Sequence, residues 1–115
     1  MRMLRNLAYF GLLISGSAAM AEIDILSVTF TCENEVPLHV SYFNSTDGSG
    51  AAAVMVDNTL VAMRQVESGS GIRYESLGTE GTYILRSKGW NASISYLAAG
   101  SAASEQVIYQ ECSSR

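Results

Sequence analysis

From Leu26 onward apolar and polar residues alternate with period two, and no segment sustains helical spacing. Leu26, Val28, Phe30 and Cys32 fall on one face of an extended chain, with Ser27, Thr29 and Thr31 opposite. Val36, Leu38, Val40 and Tyr42 repeat the pattern. Residues 51–56 and 60–66 read as strands around Asp57-Asn58, a pair suited to a two-residue hairpin turn. Further strands are expected at 72–77, 82–87 and 106–111, with one more in which Trp90, Ala92, Ile94 and Tyr96 form the apolar row against Asn91, Ser93 and Ser95. The connections are rich in small residues: Asp47-Gly48-Ser49-Gly50, Ser68-Gly69-Ser70-Gly71, Gly78-Thr79-Glu80-Gly81, Lys88-Gly89 and 98–104. Glycine in such places supplies the positive φ that tight turns demand.

About eight short strands at this spacing predict an all-β domain, an antiparallel sandwich or barrel. Eight strands can close on themselves and remove the edges that invite aggregation. Pro37, the only proline, stands at a strand start, where a missing N–H is tolerated. No linker, repeat or charge block divides the chain.

Residues 1–21 read as a cleaved secretory leader, not as part of the fold. Arg2 and Arg5 precede the apolar run Leu-Ala-Tyr-Phe-Gly-Leu-Leu-Ile, and Ala19-Met20-Ala21 fits a small-x-small cleavage site. That run is too short to span a bilayer, which takes about 20 residues. Glu22, not cysteine, follows the cleavage site, so no lipid anchor is expected. The exported domain is then 22–115, a single unit of 94 residues.

Export bears on the cysteines. Cys32 and Cys112 are the only two, and in an oxidising compartment the default is that they pair. The bridge would span 80 residues and bring both ends of the domain onto neighbouring strands. Charge narrows the partners. Without Arg2 and Arg5, five Lys and Arg face eleven Asp and Glu, a formal balance of −6. That excludes nucleic acid, which needs clustered cations, and suits a basic protein partner. It also serves solubility alone.

Catalytic chemistry is sparse. His39 is the only histidine, on the polar side of a strand, with no serine or cysteine spacing that suggests a triad. No ligand set points to a metal or cofactor, and Ser68-Gly69-Ser70-Gly71 lacks the Gly-Lys-Ser/Thr ending and helix of a phosphate-binding loop. An enzyme is not expected. Taken alone, the serine-glycine stretch is an ordinary flexible loop.

Ser-Gly-Ser-Gly-Ile-Arg-Tyr at 68–74, followed by Tyr-Ile-Leu-Arg-Ser-Lys-Gly at 83–89 and flanked by cysteines near both ends, resembles the bacterial inhibitors of C-type lysozyme. The likeness runs from Phe30-Thr31-Cys32 to the terminal cysteine. Arg86 departs from it, standing where the family often has tryptophan. The resemblance implies an eight-stranded antiparallel β-barrel closed by one disulfide, Cys32–Cys112. It implies a periplasmic inhibitor in a Gram-negative envelope whose two motif loops enter the lysozyme cleft. Ser70 and Lys88 would meet the catalytic carboxyls, Tyr74 would support the loop or touch the partner, and Gly69, Gly71 and Gly89 would shape the loops. Arg73 is either a cleft contact or a solvated strand residue. A different reading remains from the residues alone: a small exported barrel holding an apolar ligand in an interior lined by Ala51, Ala53 and Ala92. Oligomeric state, monomer or homodimer, is left open.

Overall fold

The computed structural model describes residues 22–100 and 102–115. The expected leader at 1–21 lies outside the described residues. Eight strands follow one another in sequence: β1 (Ile23–Thr31), β2 (Pro37–Ser45), β3 (Gly50–Val56), β4 (Thr59–Val66), β5 (Ile72–Ser76), β6 (Gly81–Lys88), β7 (Asn91–Ala98) and β8 (Glu105–Ser113). Each pairs antiparallel with the next, and β8 returns to β1, so the sheet is a closed barrel. The all-β architecture is the one the alternation and the resemblance predict.

Local chemistry explains the turns. Asp57 and Asn58 both hold left-handed φ, 50° and 64°, the demand of a two-residue hairpin between β3 and β4. Pro37 opens β2, opposite Thr31 of β1. His39 is exposed and meets Thr29 Oγ1 through Nδ1 at 3.1 Å, a cross-strand surface pair. A 3₁₀ turn at Glu33–Glu35, not foreseen from the sequence, reverses the chain between β1 and β2 with Asn34 and Glu35 in left-handed conformations.

Closure is uneven around the barrel. β1 pairs with β2 along its whole length but meets β8 only where Thr31 faces Ser113. The next residue on one strand and the previous one on the other are Cys32 and Cys112, and they are bonded. The disulfide therefore carries the seam that the hydrogen-bond ladder barely closes.

The interior is filled. Phe30, Leu38, Val40, Tyr42, Val54, Met63, Tyr74, Leu85 and Ile94 belong to one buried cluster that includes both cysteines. This corrects the expected alanine lining in part: Ala92 is buried in the same cluster, but large side chains dominate it. Ala52 points inward, while Ala51 and Ala53 on either side of it do not. Side chains of this size leave the inside of the barrel occupied by the protein itself.

Trp90 is the second correction. It lies in the turn before β7 and is 56% exposed, so it does not head the apolar row. The row itself breaks further along. Ala92 faces Cys112, Ile94 faces Tyr109 and Ser95 faces Val107, so the β7–β8 register shifts twice. Ile94 joins the core, yet its neighbour Ser95 is also buried. Ser95 lies opposite Ile84, which is buried outside the main cluster.

An ion pair sits at this place. Arg86 of β6 binds Glu105 at the start of β8 through both terminal guanidinium nitrogens, Nη1 to Oε2 and Nη2 to Oε1 at 3.2 Å. The Ser95 hydroxyl donates to the same carboxylate. The Arg86 hydrogen bonds first, and then that of Ser95, lower the Glu105 pKa from 4.5 to about 2. A depressed carboxyl stabilises the fold above its unfolded value, and this contribution disappears as pH falls through about 2. Both side chains are partly exposed, so solvent screening limits the gain to about 1 kcal/mol or less. Glu105→Gln should lower stability near neutral pH and match the wild type below pH ~2, as read by urea unfolding across pH.

Candidate functional site

Register brings the two motif loops together. β5 begins at Ile72, which faces Ser87 of β6. The residue before Ile72 must then lie against Ser87 and Lys88. That residue is Gly71, with φ +67°, and a Cβ there would meet the Ser87 carbonyl oxygen at 2.6 Å and Lys88 Cβ at 3.1 Å. Only glycine satisfies both the left-handed backbone and the close approach. The β4–β5 loop can therefore lie on the end of β6.

Lys88 is the last residue of β6 and faces Asn91, the first of β7, across a two-residue turn. Gly89 occupies the first turn position with φ +60°, as a hairpin of this length requires. A hairpin with two central residues needs one after Gly89, and that residue is Trp90. The Lys88-Gly89 motif thus carried the sign that tryptophan belongs to the turn.

Within this frame Lys88 Nζ donates to Ser70 Oγ at 3.0 Å. Ser68 steadies the loop, its hydroxyl donating to the Ser70 carbonyl oxygen at 2.8 Å and accepting from the Ser70 N–H at 3.3 Å. An ammonium can only donate, so the Ser70 oxygen is the acceptor, and its own O–H has no other partner among the described residues. The remaining Lys88 N–H groups are also free to donate. The pair presents donors and positive charge, a match for an acceptor such as a carboxylate.

Tyr74 is 1% exposed and does not reach the surface beside Ser70. Its ring packs 5.6 Å from that of Tyr42, whose hydroxyl meets Ser87 Oγ at 2.7 Å. Burial raises the pKa of both phenols, keeping them neutral. Tyr74 thus lies beneath the strand end that carries Lys88. Arg73 pairs with Glu75 of its own strand at 2.8 Å and belongs to the outer wall. Gly69 has neither a left-handed φ nor a neighbour within 4 Å of a built Cβ, so nothing in the loop demands glycine there.

These positions make a contrasting pair of substitutions. Gly71→Ala should cost about 1–3 kcal/mol through strain and collision with the Ser87 carbonyl, and Gly69→Ala should stay within about 0.5 kcal/mol. Thermal melts of the two variants read the difference directly.

Beside the Ser70–Lys88 pair lies an open groove of about 540 Å³, which Arg86, Asn91, Ser93 and Glu111 also line. Glu111 holds a left-handed φ of 55° where the β7–β8 register is irregular. Arg86 comes with the motif itself, two residues before Lys88 on β6, but Glu111 and the far wall of this groove could not be placed from the sequence, because distant strands contribute them. Among the described residues no group of three or more His, Cys, Asp and Glu side chains could hold a metal ion.

Comparison with known proteins follows the same outline. The family model for the membrane-bound lysozyme inhibitor of C-type lysozyme matches residues 30–102. A membrane-bound lysozyme inhibitor of C-type lysozyme from Pseudomonas aeruginosa is 35% identical over 74 residues, 64% of this chain and 55% of that protein. The chain thus spans about half the length of this curated relative. The crystal structure of the periplasmic lysozyme inhibitor of C-type lysozyme from Salmonella typhimurium superposes with a TM-score of 0.64 at 26% identity, covering 82% of this chain and 99% of that one. The Pseudomonas aeruginosa inhibitor, crystallised in complex with hen egg white lysozyme, superposes with a TM-score of 0.55 at 27% identity, covering 92% and 100%. With the motif loops, the disulfide-closed barrel and the matched family model in agreement, this chain belongs to the bacterial family of C-type lysozyme inhibitors.

Proposed function

We propose that the protein is a periplasmic inhibitor of C-type lysozyme, exported by a leader at 1–21 that is then removed to leave the barrel at 22–115. It protects the Gram-negative cell wall by occupying the enzyme's cleft and turns over no substrate itself. The observation that carries this reading is the Lys88–Ser70 contact, made between two loops at the edge of an open groove. A related inhibitor crystallised on hen egg white lysozyme supports the choice of partner.

The geometry suits the target chemistry. Lysozyme of this class keeps one carboxyl protonated and a second ionised, and retaining enzymes place the two about 5–5.5 Å apart. Ser70 Oγ and Lys88 Nζ, 3.0 Å from each other, can face two such groups side by side, one hydrogen bond to each. The ammonium matches the ionised carboxylate, and the hydroxyl can donate to or accept from either state. A charge-assisted contact of this kind contributes about 1.5–3 kcal/mol. The acidic balance of the barrel adds long-range attraction to a basic enzyme.

The test is direct. Purified 22–115 protein at micromolar concentration should suppress lysis of a peptidoglycan suspension by hen lysozyme. Undiminished lysis would end the proposal.

A further inference from the structure

On the other side of the Lys88 turn lies an apolar depression of about 360 Å³. Its lips are Leu26, Ile72 and Trp90, which are 57%, 44% and 56% exposed. Its floor is the buried surface of Phe30 and Tyr74. We propose that this depression is the second half of the docking surface and that Trp90 is its anchor, packing against apolar surface at the lip of the lysozyme cleft. The inference rests on the lysozyme reading above and extends it to a contact outside the two polar motif residues.

Continuity argues for this occupant. The depression shares Gly71, Lys88 and Gly89 with the Ser70–Lys88 site. Only Gly89 separates Lys88 from Trp90, so their Cα atoms are at most about 7.6 Å apart. A protein surface seated on Lys88 is therefore within reach of Trp90. Leu26, Ile72 and Trp90 differ from the other exposed apolar side chains in sharing a depression with that lysine.

Trp90 is also held without being buried. The Arg115 guanidinium lies 5.3 Å from its ring centroid, and its carbonyl accepts the Ser114 N–H at 2.9 Å. An exposed, pre-positioned tryptophan loses little freedom on binding and is the residue type most often found to dominate an interface. The fold makes little use of this ring, so its removal should leave stability intact.

Trp90 is the only tryptophan in the chain, so 5-fluorotryptophan labelling gives a single ¹⁹F resonance to follow. Hen lysozyme added to the labelled full chain should shift that resonance. Trp90→Ala should raise the inhibition constant about tenfold or more with an unchanged melting temperature, and Trp90→Phe should recover part of the loss. If Lys88→Ala loses inhibition while Trp90→Ala keeps it and the resonance stays in place, the inference falls and the lysozyme reading stands. If the wild type fails to inhibit lysozyme, both fall. A resonance moved by a small apolar dye but not by lysozyme would assign the depression to a small ligand. One moved by protein concentration alone would assign it to a second copy. Either result overturns the inference.

Discussion

Lys88→Ala should weaken lysozyme inhibition by about 30-fold or more while leaving the melting temperature unchanged. The size follows from what is removed: truncating one member of a desolvated charge pair at an interface costs about 2–5 kcal/mol, and each ~1.4 kcal/mol is a factor of ten. Much of that cost is the enzyme carboxylate left facing an empty space. The fold should not notice, because Lys88 is exposed at a strand end and, among the described residues, its ammonium bonds only to Ser70. Ser70→Ala removes a neutral hydroxyl and should cost less, about 3- to 10-fold. Since Nζ and Oγ are bonded to each other, losing Ser70 also frees the lysine from its position. The double variant should therefore lose less than the product of the two single losses. Inhibition constants for the four proteins in a lysis assay complete the cycle. Two single losses that multiply cleanly would mean that the residues act separately, and two variants as potent as wild type would remove both from the mechanism.

Reduction of Cys32–Cys112, or the double replacement Cys32→Ala with Cys112→Ala, should have the largest effect on stability. An 80-residue closure restrains the unfolded chain by about 4–5 kcal/mol in the chain-entropy account. A domain of this size has only about 5–15 kcal/mol in all. The barrel makes the loss sharper, because β1 and β8 share a single facing pair, Thr31 and Ser113, at the point where the bond lies. Without it the seam has little else to close on. At about 4–8 °C per kcal/mol, the melting temperature should fall by roughly 20 °C or more. Cys112 also lines the groove beside Lys88, so inhibition should weaken at temperatures where the reduced protein is still folded. Melting with and without reductant, paired with the lysis assay, checks both claims. A change of only a few degrees would show that the ladder holds the seam unaided.

The parts of this protein that alternation could specify were legible in the chain. A period of two depends only on neighbours along one strand, so eight strands, the Asp57-Asn58 hairpin and the place of Pro37 followed from local chemistry. The motif pair carried the family, and Gly71 and Gly89 stand where left-handed backbone is needed. Trp90 was misassigned because a hydrophobicity pattern does not separate a strand residue from the second residue of a tight turn. Ala51 and Ala53 were misassigned because alanine gives almost no contrast between the two faces of a strand.

Sequence alone determined the strands and most of the turns, since each rests on backbone preferences and contacts within a few residues, and the resemblance carried by the two motifs singled out their loops. Tertiary structure decided everything that depends on which strands lie side by side. Register between β5 and β6 put Ser70 within 3.0 Å of Lys88, and it buried Tyr74 beneath them. The return of β8 gave Arg86 its partner Glu105 and set Cys112 against Cys32. The turn after Gly89 left Trp90 beside an apolar depression. Such distances come from the closure of the whole sheet, a sum over all eight pairings that no single stretch of chain contains.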